Sequence, residues 1–529
     1  MNNLSPIDHC QSTLTSSYSD SEIVLSTLNA RYIHSAFGLR YLKANLGELE
    51  QHCHIEEFTL ESRPEDIVEV LLNLNPKIVG FGVYIWNAVQ TLKVVSLLKA
   101  VAPDLTIVLG GPEVSYENDS QEIVQLSDYV ITGWGEKSFS VLAESILKDN
   151  LPEEKIIKGE QPKLDQINMP YDLYTDADIK NRVLYVEASR GCPFKCEFCL
   201  SALDKTAWPF NLDQFLDYMD VLYQRGARHF KFVDRTFNLK IKNSLRILEF
   251  FLERMDEQLF LHFEVVPDHL PEALKEMIVR FPKGSLQFEI GIQTFNADVQ
   301  AKISRRQDNE KAKENLKWIR DFSQAYIHAD LIFGLPGETM DSFANSFNQL
   351  YELRPHEIQV GILKRLKGSP IIRHTQEHSL VFNPNSPFSI VSSDTVSYLD
   401  VQQINRFARY WDLIGNSGRF KTTLSLLMGD SPFQQFQILS KSLFQRTQQT
   451  HKISLLRLYD FVFDIAVEDL QLDESEIRDA ILQDFEGSGL KSIPKCLNAI
   501  VIKKRKRQMS KDRALDKITK GHASRQSRH

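Results

Sequence analysis

Three cysteines, Cys192, Cys196 and Cys199, fall in the stretch GCPFKCEFCL with the spacing C-x3-C-x2-C. Thiols grouped this closely along a chain are metal ligands rather than core filling. A structural zinc ion takes four ligands, and no second Cys pair or Cys/His pair with zinc spacing lies nearby. A cubic 4Fe-4S cluster takes one thiolate per iron, so three local cysteines leave one iron without a protein ligand and open to a substrate or cofactor. Zinc is therefore the weaker of the two readings.

The triad must be held by the elements around it. It follows the apolar run VLYVEAS (183–189), the first of six strand-like runs that continue with HFKFVD (229–234), LFLHFEVV (259–266), SLQFEIGIQ (285–293), YIHADLIFG (326–334) and EIQVGILK (357–364). Each but the last is followed by a helix-like segment, among them LDQFLDYMDVLYQRG, SLRILEFFLERM and NEKAKENLKWIRDF. By count this predicts a partial (β/α)6 barrel. Sites of parallel barrels lie at the C-terminal ends of the strands, where a loop after the first strand must fall. Glu264 and Glu289 are carboxylates inside apolar strands. A carboxylate buried alone is costly, so each is expected to face a ligand, an Arg or a Lys.

Upstream, EIVLSTL (22–28), IEEF (55–58), KIVGFGVYI (77–85), LTIVLGG (105–111) and DYVITGWGE (128–136) alternate with helix-period segments. Short buried strands alternating with amphipathic helices predict a parallel, doubly wound sheet, which binds ligands beyond the carboxyl ends of its strands. Those ends are glycine-rich: Gly80 and Gly82, Gly110 and Gly111, Gly133 and Gly135. Each is also explained as a tight turn; together they would let backbone approach a large flat ligand.

The expected organisation is a lead-in (1–20), a Rossmann-like domain (21–149), a polar linker with three prolines (150–182), the barrel (183–370), a mainly helical C-terminal domain (371–502) and a basic tail (503–529). The tail reads as a solvated end or, alternatively, as a polyanion contact. Net charge is −8 with 42% hydrophobic and 25% charged residues, an ordinary globular balance that makes nucleic acid an unlikely partner. Cys10, Cys53 and Cys496 are isolated, which excludes a secreted disulfide framework. There is no apolar run of membrane-spanning length and no signal-peptide pattern at the N-terminus, so a reducing cytoplasm is the expected location.

The cysteine spacing, with Phe198 before the last cysteine, resembles the cluster motif of the radical S-adenosylmethionine (SAM) superfamily. EIGIQTFN and DLIFGLPGET resemble that family's motifs after the fourth and fifth strands. The resemblance implies a 4Fe-4S cluster whose open iron chelates SAM. It also implies a one-electron reduction that yields methionine and a 5′-deoxyadenosyl radical. Candidate SAM contacts carried over in this way are Phe198, Asp234, Glu264, Glu289, Gln293, Arg305 and Gly334. Asp234 is equally readable as a helix N-cap, and Arg305 with Arg306 as a solvated basic turn.

The GGPE and GWGE turns resemble the cobalamin-binding domain that precedes the barrel in one large subgroup. They imply a corrinoid contacted by Thr27, Leu28, Tyr84, Gly110, Gly111, Glu113, Gly133, Gly135 and Glu136. The D-x-H-x-x-G motif that often supplies a histidine to cobalt is missing; His34 has the wrong spacing and no preceding aspartate. Taken together, these motifs lead to the expectation of a cobalamin-dependent radical SAM enzyme, and among these of a methyltransferase. The alternatives are a non-methylating rearrangement, cyclisation or oxidation, and a non-enzymatic cluster or corrinoid carrier. A flavodoxin- or ferredoxin-type electron donor is implied; the substrate, small molecule or peptide, is not.

Overall fold

The computed structural model describes residues 21–204 and 206–498. The expected lead-in and basic tail lie outside the described residues. The described residues form two compact units: one from 21–191, 206–233 and 366–368, the other from 192–204, 234–365 and 369–498.

In the first unit, β1 (Ile23–Asn29) is central to a six-stranded sheet. Its partners are β2 (Cys53–Thr59), β3 (Ile78–Gly82), β4 (Thr106–Gly110), β5 (Tyr129–Thr132) and β6 (Ile156–Lys158). All pairings are parallel in the order β2-β1-β3-β4-β5-β6. Because strand side chains alternate between faces, neighbouring residues of β1 enter different cores. Val24 and Leu28 join Ile67 and Leu71 of α2 (Pro64–Asn73), Val94 and Leu98 of α3 (Ala88–Val101) and Ile123 of the short α4 (Glu122–Leu126). Ile23 and Leu25 join Leu39 of α1 (Phe37–Ala44) and Phe139, Leu142 and Ile146 of α5 (Glu136–Leu147). The sheet is thus doubly wound. The order reverses between β1 and β3, the switch point at which such sheets open a crevice.

The segment expected as linker contributes β6 and α6 (Asp176–Asn181). With three residues, KIIK beside it only partly apolar, β6 carries none of the periodicity that marks longer strands. Later in this unit β7 (Leu184–Val186) pairs in parallel with β10 (His229–Phe232), and the two-residue strands β8 (Ser189–Arg190) and β9 (Trp208–Pro209) pair antiparallel, followed by α7 (Leu212–Gln224).

The second unit carries β11 (Phe260–Val265), β12 (Leu286–Gln293), β13 (Tyr326–Phe333) and β14 (Glu357–Ile362), paired in parallel in sequence order. With β7 and β10 these are the six expected strands. In β12, Leu286, Phe288, Ile290 and Ile292 are buried, while Gln287, Glu289, Gly291 and Gln293 share the other, polar face. β13 repeats the alternation, with His328 and Asp330 on its half-buried face. The C-terminal region is mainly helical, with helices over Tyr398–Ile414 and Pro432–Thr447. Their aromatic rings Phe407, Trp411, Phe433 and Phe436 interlock at 4.9–6.2 Å between centroids. Among the described residues no helix is long and apolar enough to cross a membrane.

Candidate functional site

At the carboxyl ends of β1, β3, β4 and β5 the first unit encloses a cavity of about 330 Å³. Seven of its lining residues are glycines: Gly38, Gly80, Gly82, Gly110, Gly111, Gly133 and Gly135. Two of them show why. Gly111 has φ +103°, and a Cβ there would lie 2.5 Å from the Val83 carbonyl oxygen. Gly133 has φ +74° and nothing within 4 Å of the position of a Cβ, so its missing side chain leaves open space. A floor of bare backbone suits a broad, flat ligand, and a corrinoid fits that description.

The cavity wall is aromatic and charged. Arg190 places its guanidinium 4.4 Å from the Tyr41 ring centre and 4.8 Å from that of Trp134. It pairs with Glu136 at 2.5 Å and Glu187 at 2.8 Å. Burial pushes the Glu187 carboxyl above its ordinary value, and the adjacent Arg190 opposes that shift without cancelling it.

Of the residues expected to meet a corrinoid, Tyr84, Gly110, Gly111, Gly133, Gly135 and Glu136 line the cavity. Thr27, Leu28 and Glu113 do not. Leu28 belongs to the core on the opposite face of the sheet, Thr27 donates its hydroxyl to the Gly82 carbonyl at 2.8 Å, and Glu113 pairs with Lys367 at 2.7 Å. His34 is also absent from the lining; its Nδ1 meets the Tyr185 hydroxyl at 2.8 Å. Glu187 and Arg190 were not found from the sequence, because they join the cavity from beyond the expected linker. The one local signal was an arginine two residues before Cys192.

The second unit has its own cavity, about 180 Å³, lined by all three cysteines. Polar strand-end residues share it: Glu264 from β11, Glu289 and Gln293 from β12, and Asp330 from β13. Arg305 lies 3.6 Å from Cys196 Sγ and also donates to the Gly291 carbonyl. Burial raises the Cys196 thiol pKa, and the Arg305 cation works against that rise, favouring a thiolate. Gln293 sits at a register shift of β12 with φ +69°, an uncommon conformation for a side chain of its size. Its Oε1 is buried without a hydrogen-bond partner. An unsatisfied acceptor beside three thiols fits a site whose remaining partner is a bound polar cofactor.

The three thiols, gathered in one cavity with polar strand residues, fit a cluster with one open iron. Outside this cavity, His374, Glu377 and His378 form a group whose ligand atoms fall within 4.8 Å of one another.

Phe198, Glu264, Glu289, Gln293 and Arg305 line this cavity, whereas Asp234 and Gly334 do not. Asp234 is buried. It is no helix cap: the next α-helix, α8 (Ile241–Leu252), has Lys240 at that position. Gly334, at φ +88°, makes room for Ile390, whose Cγ2 would lie 2.7 Å from an added Cβ. Glu264 has Arg235 at 3.8 Å, as expected of a strand carboxylate; Glu289 has His262 at 2.9 Å rather than Arg or Lys. Thr236, Asp268 and Gln307, which also line the cavity, lie in loops whose local sequence gave no signal.

Compared with known families, residues 23–143 match the B12 binding domain, 186–350 the radical SAM superfamily, and 376–525 a protein family of unknown function (DUF4080). The chain therefore carries, in order, a B12-binding domain, a radical SAM domain and a C-terminal domain of unknown function. It is similar to the uncharacterized methyltransferase PH0819 of Pyrococcus horikoshii, at 26% identity over 40% of this chain and 50% of that protein. It is also similar to the cobalamin-dependent radical SAM methyltransferase TokK of Streptomyces tokunonensis, at 23% identity over 56% and 48%. The chain spans about half the length of these curated relatives. Among solved structures, the fold matches the radical SAM methyltransferase TsrM of Kitasatospora setae with a TM-score of 0.56, 17% identity and coverage of 72% and 81%. It matches the cobalamin-dependent SAM radical enzyme OxsB with a TM-score of 0.61, 14% identity and coverage of 89% and 81%.

Proposed function

We propose that this protein cleaves SAM reductively at a 4Fe-4S cluster held by Cys192, Cys196 and Cys199 and transfers a methyl group, through cobalamin, to an unactivated centre of its substrate. The observation that carries the reading is the second unit's cavity, where three thiols share a lining with the unpartnered Gln293 Oε1 and the strand-end carboxylates Glu264 and Glu289. Methyltransferases among the similar proteins support the methyl-transfer part. When bound, the cluster supplies the electron that breaks the sulfonium carbon–sulfur bond, and the corrinoid supplies the methyl group.

The chain's own residues bind and orient. Arg305 stabilises the Cys196 thiolate and ties the loop that bears it to the β12 backbone through the Gly291 carbonyl. Gln293 would help hold SAM by accepting a hydrogen bond from it, which would satisfy its buried oxygen. Glu264 and Glu289, which line the same cavity, would offer acceptors to SAM's polar groups. Phe198 packs on the apolar cluster of Ile303, Leu335 and Leu363 and closes the cavity floor against water. In the first unit the glycine floor and Tyr84 would hold the corrinoid, and the Arg190 pair with Glu136 keeps the wall charged yet neutralised. A flavodoxin- or ferredoxin-type protein in a reducing cytoplasm would supply the electrons; the low-potential chemistry supports both.

The test incubates cluster-loaded, cobalamin-loaded protein anaerobically with reductant, SAM and candidate substrates. Production of 5′-deoxyadenosine together with S-adenosylhomocysteine is expected. Deoxyadenosine alone would remove methyl transfer and leave a rearrangement, cyclisation or oxidation. Absence of both products would leave a carrier.

A further inference from the structure

A helical turn of the second unit carries His374, Glu377 and His378. The His378 amide donates to the His374 carbonyl at 3.0 Å, which puts residues four apart on one face of the turn. The two imidazole centroids are 6.0 Å apart, and the ligand atoms offered by the three side chains lie within 4.8 Å of one another. Small side-chain adjustments close that spread onto one ion at metal–ligand distances of about 2.0–2.2 Å.

Both imidazoles are buried, and each turns one ring nitrogen to a carboxylate. His378 Nδ1 is 3.2 Å from Asp394 Oδ2, and His374 Nε2 is 2.8 Å from Glu197 Oε2. With Nδ1 donating to Asp394, His378 keeps a lone pair on Nε2. That nitrogen is buried without a hydrogen-bond partner, with Glu377 Oε1 3.8 Å away. A carboxylate behind an imidazole fixes its tautomer and raises its basicity, which is how metal-binding histidines are supported. A core histidine with no ligand to hold would leave this acceptor desolvated for nothing.

We propose that His374, Glu377 and His378 bind a divalent cation of the zinc class, with a fourth position left to water. Two imidazoles and one carboxylate favour zinc over calcium or magnesium, which take oxygen ligands. The site is separate from the cysteine triad in its ligands but is linked to it through Glu197, which stands between Cys196 and Cys199. The Glu197 amide donates to the Ile303 carbonyl and its carbonyl accepts from Ile371, while Ser304 and Arg373 also donate to its carboxylate. The cation therefore braces the turn on which the cluster loop rests.

The test titrates full-length, cluster-loaded protein with Zn²⁺, removes loose metal and measures iron and zinc together. About one zinc per chain is expected beside about four irons. The Cys192→Ser, Cys196→Ser, Cys199→Ser triple variant should lose the iron and keep the zinc, which separates this site from zinc capture by the thiols. His378→Ala should lose the zinc. Asp394→Asn should weaken zinc binding roughly tenfold to a hundredfold. Glu377 is exposed, so Glu377→Gln leaves the fold intact and decides the matter if His378→Ala fails to fold; it too should weaken binding. No zinc retained by the cluster-loaded chain, or undiminished zinc in Glu377→Gln and His378→Ala, overturns the proposal.

Discussion

Replacing Arg190 by Met should destabilise the first unit more than any other single change in its cavity wall. Arg190 is the cation shared by Glu187 and Glu136, both of them buried. Methionine keeps much of the stem packed against Tyr41 and Trp134 but leaves two buried carboxylates uncompensated. Removing one partner of a buried ion pair costs about 3–5 kcal/mol. The loss has a predictable pH dependence. Glu187 already has a pKa raised above its ordinary value of about 4.5 in the folded chain, because burial outweighs the help from Arg190. The folded state therefore holds more protons than the unfolded state above that value, and stability falls as pH rises from about 4.5 to the folded pKa. Without Arg190 the folded pKa climbs further, so the window extends upward and the gap from wild type widens with pH. Urea unfolding of the full-length chain, followed by tryptophan fluorescence at about pH 5.5 and about pH 8, reads this out. The midpoint deficit of Arg190→Met should be larger at the higher pH, and adding Glu187→Gln should recover a good part of it. A deficit below about 1 kcal/mol at pH 8, or one equal at both pH values, would refute the ion-pair argument.

Cys199→Ala should reduce anaerobically reconstituted iron from about four per chain to background and abolish the brown chromophore, measured by iron assay and absorbance. Glu338, buried after β13 and accepting from the Thr294 hydroxyl at 2.9 Å, has its pKa raised by burial to about 8. Stability should therefore fall between about pH 4.5 and pH 8, and Glu338→Gln should flatten that slope and stabilise the chain at pH 9 by an order of 3–5 kcal/mol, read by denaturant titration across pH. Gly133→Ala and Gly226→Ala both place a side chain at positive φ with open space around the Cβ, and each should lose about 1 kcal/mol. Only Gly133→Ala should also weaken cobalamin binding, measured by equilibrium dialysis, since Gly226 lies outside the cavity.

Much of this fold was readable locally. A mainly apolar run such as IVLSTL marks a strand buried on both faces, and the glycine turns after β3, β4 and β5 mark carboxyl ends of strands. The cysteine triad needed no fold at all, because its ligands lie within one loop. Other features gave weak signals. The short, exposed β6 looks like linker because an edge strand of three residues has too little burial to impose a pattern. Leu28, expected at the ligand, faces the other side of the sheet because the pleat alternates, and Thr27 gives its hydroxyl to the Gly82 carbonyl.

The sequence by itself determined the ligand arithmetic of the cluster, the two parallel α/β regions and the helical end, since each rests on spacing and periodicity along a short stretch. Only tertiary structure decided which charges meet. Arg190 finds Glu136 across 54 positions, and Glu197 finds His374 across 177. Such pairs form because desolvation makes a buried carboxylate seek a donor wherever the fold brings one, and no local pattern records that demand.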